Sequence, residues 1–353
     1  MEQANATKMK RSFRPEGSLF LLAVLVIVFF VLDLFIGSYH ISLSNIIKAL
    51  FAPGQVDSQL VTIVRQFRLP KALTALLAGA ALSVAGLQMQ TVFRNPLAGP
   101  YVLGISSGAS LGVALLVLGA GSLFATGAFS VMGAWSVAGA AWIGAAVILM
   151  LILAVSARVK DIMTILILGI LFSAATSAIV NIMQYFSSES MLKSFVVWTM
   201  GSLGSVTNAQ LQVLLPGVLL GLFLAIISAK LLDAFLLGED YARSMGMNVQ
   251  LARVLIFIST CILAGSITAF CGPIGFIGIA VPHIVRMALK TARHQRLIPG
   301  TILLGSATML FSDIVSQLPG SESTLPINSV TALLGIPVVI WIILRNKTVG
   351  ALS

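Results

Sequence analysis

The sequence predicts an all-α polytopic membrane protein of about ten transmembrane helices. Three observations carry that prediction: 58% of its 353 residues are apolar and only 9% are charged, the mean hydropathy is +1.05, and long apolar runs recur along the whole chain. Two cysteines, Cys261 and Cys271, lie inside one apolar run, which suits neither a disulfide framework nor a zinc site; they are expected as small core residues. The formal net charge is +10, but the basic residues are spread between apolar runs instead of clustering with aromatics. Membrane orientation, not nucleic acid, is the expected reason for that charge.

Lys8, Lys10, Arg11 and Arg14 precede an apolar run from Leu19 to Ile36 that is too long for a secretory signal and lacks a small-x-small cleavage site. It is expected to be an uncleaved first helix. Further spans are expected at 70–92, 101–120, 131–156, 162–185, 209–229, 251–270, 274–289, 298–317 and 327–344. The distribution of Lys and Arg supports this division, because alternate loops are basic. On one side fall the N-terminal cluster, Arg94, Arg158, Lys160, Lys230, Arg243, Arg253, Arg286, Lys290, Arg293, Arg296, Arg345 and Lys347, sixteen of the twenty-one basic residues. Lys48, Arg65, Arg68, Lys71 and Lys193 fall on the other. Both termini are therefore expected in the cytoplasm, with short tails at 1–18 and 346–353 around a single membrane domain at 19–345.

The main polar interruption is Leu236 to Arg253, LLGEDYARSMGMNVQLAR, with a loop core at 236–250 that the charge count places in the cytoplasm. Too short for a domain, it is expected to form one or two small helices facing water. Glu239 and Arg243 are an i,i+4 pair in the favourable order, and Gly246 is a stop. It has the character of a contact surface for a soluble partner.

Small residues saturate several spans, as in LLAGAALSVAG and VMGAWSVAGAAWIGAA, which permits close helix packing where lipid supplies no hydrophobic drive. Two segments are broken by Gly and Pro at membrane depth. One, at 94–109, carries Asn95, Pro96, Gly99, Pro100 and Gly104; the other, at 271–283, carries Gly272, Pro273, Gly275, Gly278 and Pro282. Paired breaks, one in each half and at opposite faces, are the pattern of an inverted-repeat transporter.

No GxxxxGK[ST] loop occurs, so ATP hydrolysis by this chain is not expected. Neither a zinc HExxH motif, a nucleophile elbow nor a pair of intramembrane carboxylates is expected, which leaves an intramembrane protease, an esterase and a proton relay without support. His283 is read as the histidine near a membrane segment, at a helix end. Asp313, an acid inside an apolar span, either faces a cavity or is satisfied by a neighbouring helix. Gln88 and Gln90 are expected to knit helices together, and Asn181 and Gln184 to line a wet pathway. Arg68 and Lys71 flank Pro70 at a helix start, where the dipole disfavours cations. A lipid phosphate or a carboxylate on an external soluble partner should meet them.

The runs RLPKALTALLAGAALSVAGLQMQTVFRNPLAGPYVLGISSGA, LGEDYARSMGM, GPIGFIGIAVPHIVRM and VTALLGIPVVIWIILR together resemble the FecCD and vitamin B12 permease family, the membrane subunits of bacterial ABC importers for iron-siderophores, haem and cobalamin. The resemblance runs from Leu19 to Arg345. It implies a ten-helix inverted-repeat subunit of the cell inner membrane that pairs with a second permease subunit, identical or related. It also implies a pathway on the dimer axis lined largely by the span at 162–185, two cytoplasmic ATPase subunits below, and an external substrate-binding protein above. No cofactor or metal is implied. The loop matching Leu237 to Met247 would be the coupling element, with Leu237, Gly238, Glu239, Ala242, Arg243 and Gly246 at the ATPase interface. Arg68 and Lys71 match the family's basic RLPR, which meets acidic residues of the binding protein.

Lys71 stands where arginine is usual, which keeps the charge but loses bidentate geometry. A further family arginine is replaced by Gln317, and the usual LPVG reads Leu325-Pro326-Ile327-Asn328. Arg65 is the residue placed to compensate. Iron-siderophore is the cargo expected from the family, with cobalamin or haem as alternatives. An ion-coupled secondary transporter is the alternative from another class and would require acids in the core, for which Asp313 is the candidate.

Overall fold

The computed structural model describes residues 15–37, 41–119, 133–156, 158–159, 161–317 and 324–350. The N-terminal basic cluster, Lys160 and the last residues of the C-terminal tail lie outside the described residues. Apart from short turns, the described elements are α1 (Pro15–Phe35), α2 (Leu43–Phe51), α3 (Ser58–Val92), α4 (Ile105–Gly119), α5 (Gly133–Ser156), α6 (Ile162–Tyr185) and α7 (Glu189–Thr199). They continue as α8 (Asn208–Ile227), α9 (Ala229–Leu237), α10 (Glu239–Ser244), α11 (Val249–Cys271), α12 (Ile277–Leu289), α13 (His294–Ser316) and α14 (Ile327–Gly350). Among the described residues seven helices are long and apolar enough to cross a membrane, and α4, α12 and the apolar part of α14 are shorter apolar helices. The chain is thus an all-helical, multi-pass membrane protein, with spans close to those read from the sequence.

α3 is the axis of the fold. In its most apolar window 89% of the residues are buried, against 11% for α1. The cause is its run of Ala, Gly and Ser, which lets neighbouring backbones come close. A Cβ on Gly79 would strike the carbonyl of Gly305 on α13, and one on Gly86 would strike the carbonyl of Gly278 on α12. Between helices in lipid such contact replaces the hydrophobic effect as the source of adhesion. Large residues fill the remaining gaps, as where Phe93 stacks on Phe257 and Trp142 meets Phe270 edge-on at 5.3 Å.

Polar side chains then lock the register. Gln88 donates to Ser259 Oγ at 3.0 Å and accepts from Thr260 Oγ1 at 3.0 Å, both on α11. Gln90 donates to the carbonyl of Ile279 at 2.9 Å and accepts from Arg286 at 2.6 Å, both on α12. These two glutamines knit helices, as their place on apolar spans suggested. Each bond is worth about 1 kcal/mol net, and orphaning either partner at this depth costs more.

The two breaks are built alike. In the first, Arg94 and Gly104 have positive φ (49° and 72°); in the second, Gly272 and Phe276 do (75° and 66°). Asn95 Oδ1 accepts from Leu97 N at 2.9 Å and turns the chain ahead of Pro96, and a short 3-10 turn, Pro100–Leu103, leads through Gly104 into α4. Gly275 N donates to Asn328 Oδ1 at 3.0 Å, so the asparagine that departs from the family pattern pins the second break to α14. The breaks also touch each other: a Cβ on Gly278 would lie 2.8 Å from Pro100 Cδ, and one on Gly99 would lie 3.2 Å from Ile279. Gly278 and Pro282, expected in the second break, instead lie inside the helix that follows it, α12, which tolerates the proline in its interior. Two surface helices, α2 and α7, were not read from the sequence; α2 is capped by Ser42, and α8 begins with a reciprocal Thr207–Gln210 capping box.

Candidate functional site

At one end of the bundle the polar interruption forms α9 and α10. Gly238, at φ 103°, makes the sharp corner between them, and Gly246, at φ 81°, ends the second, positions where a side chain would be strained. Glu239 opens α10, where the helix dipole favours an acid, and its carboxylate is held by Arg253 at 2.6 Å and Arg243 at 3.4 Å. Arg253 is nearly sealed from solvent, with 3% of its side chain exposed, so the pair fastens α10 to the start of α11. Ala242 is fully buried. It packs inward and cannot itself touch a docked protein, which corrects the sequence-based assignment, and Glu239 likewise positions the loop. The outward surface is mixed: the apolar Leu237, Tyr241 and Met245 are exposed beside the charged Asp240 and Arg243. Of the three apolar residues the sequence reading included only Leu237; the signal was there in the spacing.

Around this loop gather the loop ends expected on the same side. A cavity of about 400 Å³ is lined by Arg94, Asp161, Glu239, Asp240 and Arg243 among others. A second, also about 400 Å³, is lined by Arg158, Arg243 and Arg253 with Asn248 and Gln250. Asp161 caps α6 by accepting from Thr164 Oγ1 at 2.6 Å and Thr164 N at 2.9 Å, and these bonds hold its carboxyl below the usual range.

His294, which the sequence reading passed over in favour of His283, is fully buried at the start of α13. Its Nδ1 lies 2.7 Å from Asp233 Oδ1 on α9, its backbone N donates to the same oxygen at 2.9 Å, and its Nε2 lies 2.9 Å from Thr91 Oγ1 on α3. One side chain thus ties the loop's first helix to the central helix and to α13.

At the opposite end, the three cations expected to face an external partner are turned inward. Arg65 donates to the carbonyls of Ala49 and Leu50 at 2.8 and 2.7 Å, closing the end of α2. Arg68 donates to the carbonyls of Leu34 and Phe35 at 2.8 and 3.1 Å, closing the end of α1. Lys71 pairs with Asp313 at 2.9 Å. Arg68 and Lys71 lie within α3, which begins at Ser58, and not at a helix start as expected; their negative partners are the protein's own carbonyls and carboxylate. Lys48 and Lys193 are the exposed lysines at this end.

Asp313 is buried, and Gln317 Nε2 donates both to it at 3.2 Å and to Asp33 Oδ1 at 3.0 Å. A pair of intramembrane carboxylates therefore does exist, against expectation; Asp33 was missed because it lies near the end of an apolar run. The residue that replaces the family arginine is the bridge between them. Asp313 and Lys71 also border a cavity of about 350 Å³ with Gly201, Ser316 and Leu325. Residues 104–108 spell G-x-S-x-G, contrary to expectation, but Ser106 Oγ lies 3.4 Å from Thr268 Oγ1, and among the described residues no histidine hydrogen-bonds to it. Asn181 and Gln184 border a fourth, smaller cavity between α4, α6 and α7.

The described residues form a helical membrane bundle with a charged loop at one end and two touching Gly-Pro breaks within it. The chain matches the FecCD transport family over residues 25–345, and it belongs to that family. It is 36% identical over 281 residues to the hemin transport system permease of Yersinia pestis, covering 79% of this chain and 82% of that one. It is 34% identical over 340 residues to the vitamin B12 import system permease of Klebsiella pneumoniae, covering 96% of each. Its fold matches a solved structure, described as an inward-facing metal-chelate type ABC transporter, with a TM-score of 0.79 and 29% identity over 94% of this chain and 99% of that one. The chain is a permease subunit of an ABC importer of the FecCD family.

Proposed function

We propose that this subunit carries an iron-siderophore complex across the cell inner membrane, received from an external binding protein and driven by two cytoplasmic ATPase subunits, with a second permease subunit completing the pathway. The exposed Leu237, Tyr241 and Met245 on a loop braced by Glu239 and Arg253 carry this reading, because an apolar stripe on the aqueous face of a membrane protein marks a protein contact. ATP-driven closure of the ATPase pair pushes the loop, and the brace passes the motion into α11. The basic loops support a cytoplasmic position for that face and for both termini. Haem and cobalamin remain alternative cargoes, each a large metal chelate like the cargo class of the structural relative.

Replacing Tyr241 and Met245 together with Asp should abolish co-purification of the ATPase and ATP-dependent uptake while the permease still inserts. Retained co-purification with normal uptake would overturn the assignment. At the other face, Lys48→Glu with Lys193→Glu should weaken capture of the loaded binding protein most at low salt, where charge pairing is least screened.

A further inference from the structure

Where α5 ends and α11 begins, beside the α9–α10 loop, lies the cavity of about 400 Å³ that holds Arg158, Arg243 and Arg253. Its volume is within the range of small-molecule sites, about 300–1,000 Å³. Three cations line it and no acid does; the other polar lining residues are Ser156, Asn248 and Gln250. The acids of the neighbourhood stand behind the arginines. Glu239 meets Arg253 at 2.6 Å and Arg243 at 3.4 Å, Asp240 lies 3.8 Å from Arg243, and the Asp161 carboxylate is turned to its cap on α6. Arg158 is different: it is exposed, and among the described residues its guanidinium has no ion-pair partner.

A buried group gives an independent sign of a ligand. Ser156, the last residue of α5, is 3% exposed and lines the cavity, and its Oγ has no hydrogen-bond partner among the described residues. Helix hydroxyls here commonly donate to the preceding turn, as Ser228 does to Leu224 O at 2.7 Å. A buried hydroxyl left without a partner costs about 1–3 kcal/mol, which a ligand that accepts from it would recover. Asn248 caps α11 through Oδ1, which accepts from Leu251 N at 3.1 Å, and its amide NH2 remains as a donor. The 23-residue α11 also brings the positive end of its dipole to the same place. The cavity thus presents chiefly N–H and O–H donors with positive charge, the complement of a phosphate.

The source of that phosphate follows from depth. The membrane-crossing stretch of α5 ends at Ser156 and that of α11 starts at Val249, and both residues line the cavity. It therefore lies where hydrocarbon gives way to headgroups. Exposed Leu151 on α5 and Leu251 on α11 supply apolar surface on the same two helices. Granted the cytoplasmic placement of this end and the coupling role of the loop, on which this inference rests, we infer that the cavity binds an anionic phospholipid of the cytoplasmic leaflet, its phosphate held between Arg158 and Arg243. Basic recesses between membrane helices on the cytoplasmic side suit such headgroups. Guanidinium groups grip phosphate oxygens in bidentate fashion, and the Ser156 hydroxyl donates a further bond. A zwitterionic lipid brings its own cation, which the three arginines repel. Through Arg158 and Arg243 the bound lipid ties the end of α5 to α10, so the loop meets the ATPase in a fixed orientation. Anionic lipid is then a regulator of coupling.

The whole importer, permease with its own ATPase and binding protein, tests this in two ways. Native mass spectrometry of the complex released from vesicles of phosphatidylcholine and phosphatidylglycerol in equal parts should show phosphatidylglycerol retained in preference. Arg158→Gln with Ser156→Ala should cut that retention at least five-fold, whereas Lys230→Gln, which removes an exposed cation from α9, should not. No preference for phosphatidylglycerol, or an equal loss in Lys230→Gln, overturns the site. In the same mixed vesicles, ATP hydrolysis stimulated by the binding protein should run at least three-fold faster than in pure phosphatidylcholine, and the double variant should lose this difference. A lipid effect undiminished in the double variant overturns the assignment of the lipid to this cavity. Restoration of the rate in pure phosphatidylcholine by soluble glycerol 3-phosphate makes the anion a solute and overturns the lipid. Retention of phosphatidylglycerol by the wild-type complex without any stimulated hydrolysis strikes at the permease function and supports the lipid site alone.

Discussion

Lys71 and Asp313 meet at 2.9 Å with the carboxylate side chain 3% exposed and the lysine at 21%, so removing the lysine strands an acid. Lys71→Met is expected to lower stability by about 3 kcal/mol, read as a fall in melting temperature in detergent. An unchanged melting temperature would show that Asp313 finds another partner. Two carboxylates, Asp33 and Asp313, here meet the Lys71 ammonium, the bridging Gln317 amide and, beside Asp33, the Arg68 guanidinium. Gln317→Arg, which restores the family's residue, adds a further cation to the buried pair and is expected to raise the melting temperature; a fall would mean that the site is too tight for a second guanidinium. Glycine at close approach is as sharply constrained: Gly86→Ala would place a methyl group on the Gly278 carbonyl and should prevent stable insertion.

The helices around the loop form a short linkage. Glu239 and Arg253 fasten α10 to α11, while Asp233 and His294 fasten α9 to α13 and, through Thr91, to α3. The second set reaches the bundle's central helix directly. His294→Phe should therefore leave the ATPase bound through its exposed apolar contacts yet uncouple hydrolysis from uptake, lowering transport per ATP several-fold. Equal loss of binding and transport would assign the histidine a purely structural part, and Asp233→Asn, which keeps the accepting oxygen but removes the charge, should show a milder form of the same split. The polar interruption was legible as a loop because its charges stand out in an apolar chain. Which of its residues point outward was not, since Ala242 and Tyr241 are neighbours in sequence and differ only in the face they occupy.

At the scale of the molecule, the helices divide into a buried set, with α3 and α11 at 89% and 78% of their apolar windows, and a lightly covered set that includes α1, α6 and α8. The lightly covered α6 is where a second permease subunit is expected to pack. Native mass spectrometry of the complex released from membranes should give two permease chains to two ATPases, and a homodimer if no related permease is present. A one-to-one particle that still transports would refute the arrangement.

Sequence alone determined the class, the approximate spans and the positions of the loop and the two breaks. Each depends on local properties: apolar length against bilayer thickness, charge between spans, and Gly or Pro where a helix cannot continue. Tertiary structure alone decided where the polar groups go. Arg65, Arg68 and Lys71 read as outward-facing because nothing near them in sequence is negative, yet their partners come from α1, α2 and α13, brought in by the packing around α3. The same holds for His294 with Asp233 and Thr91. In a medium without water, a polar side chain is satisfied by whatever the fold places beside it, and that neighbour is set by long-range packing that no local pattern records.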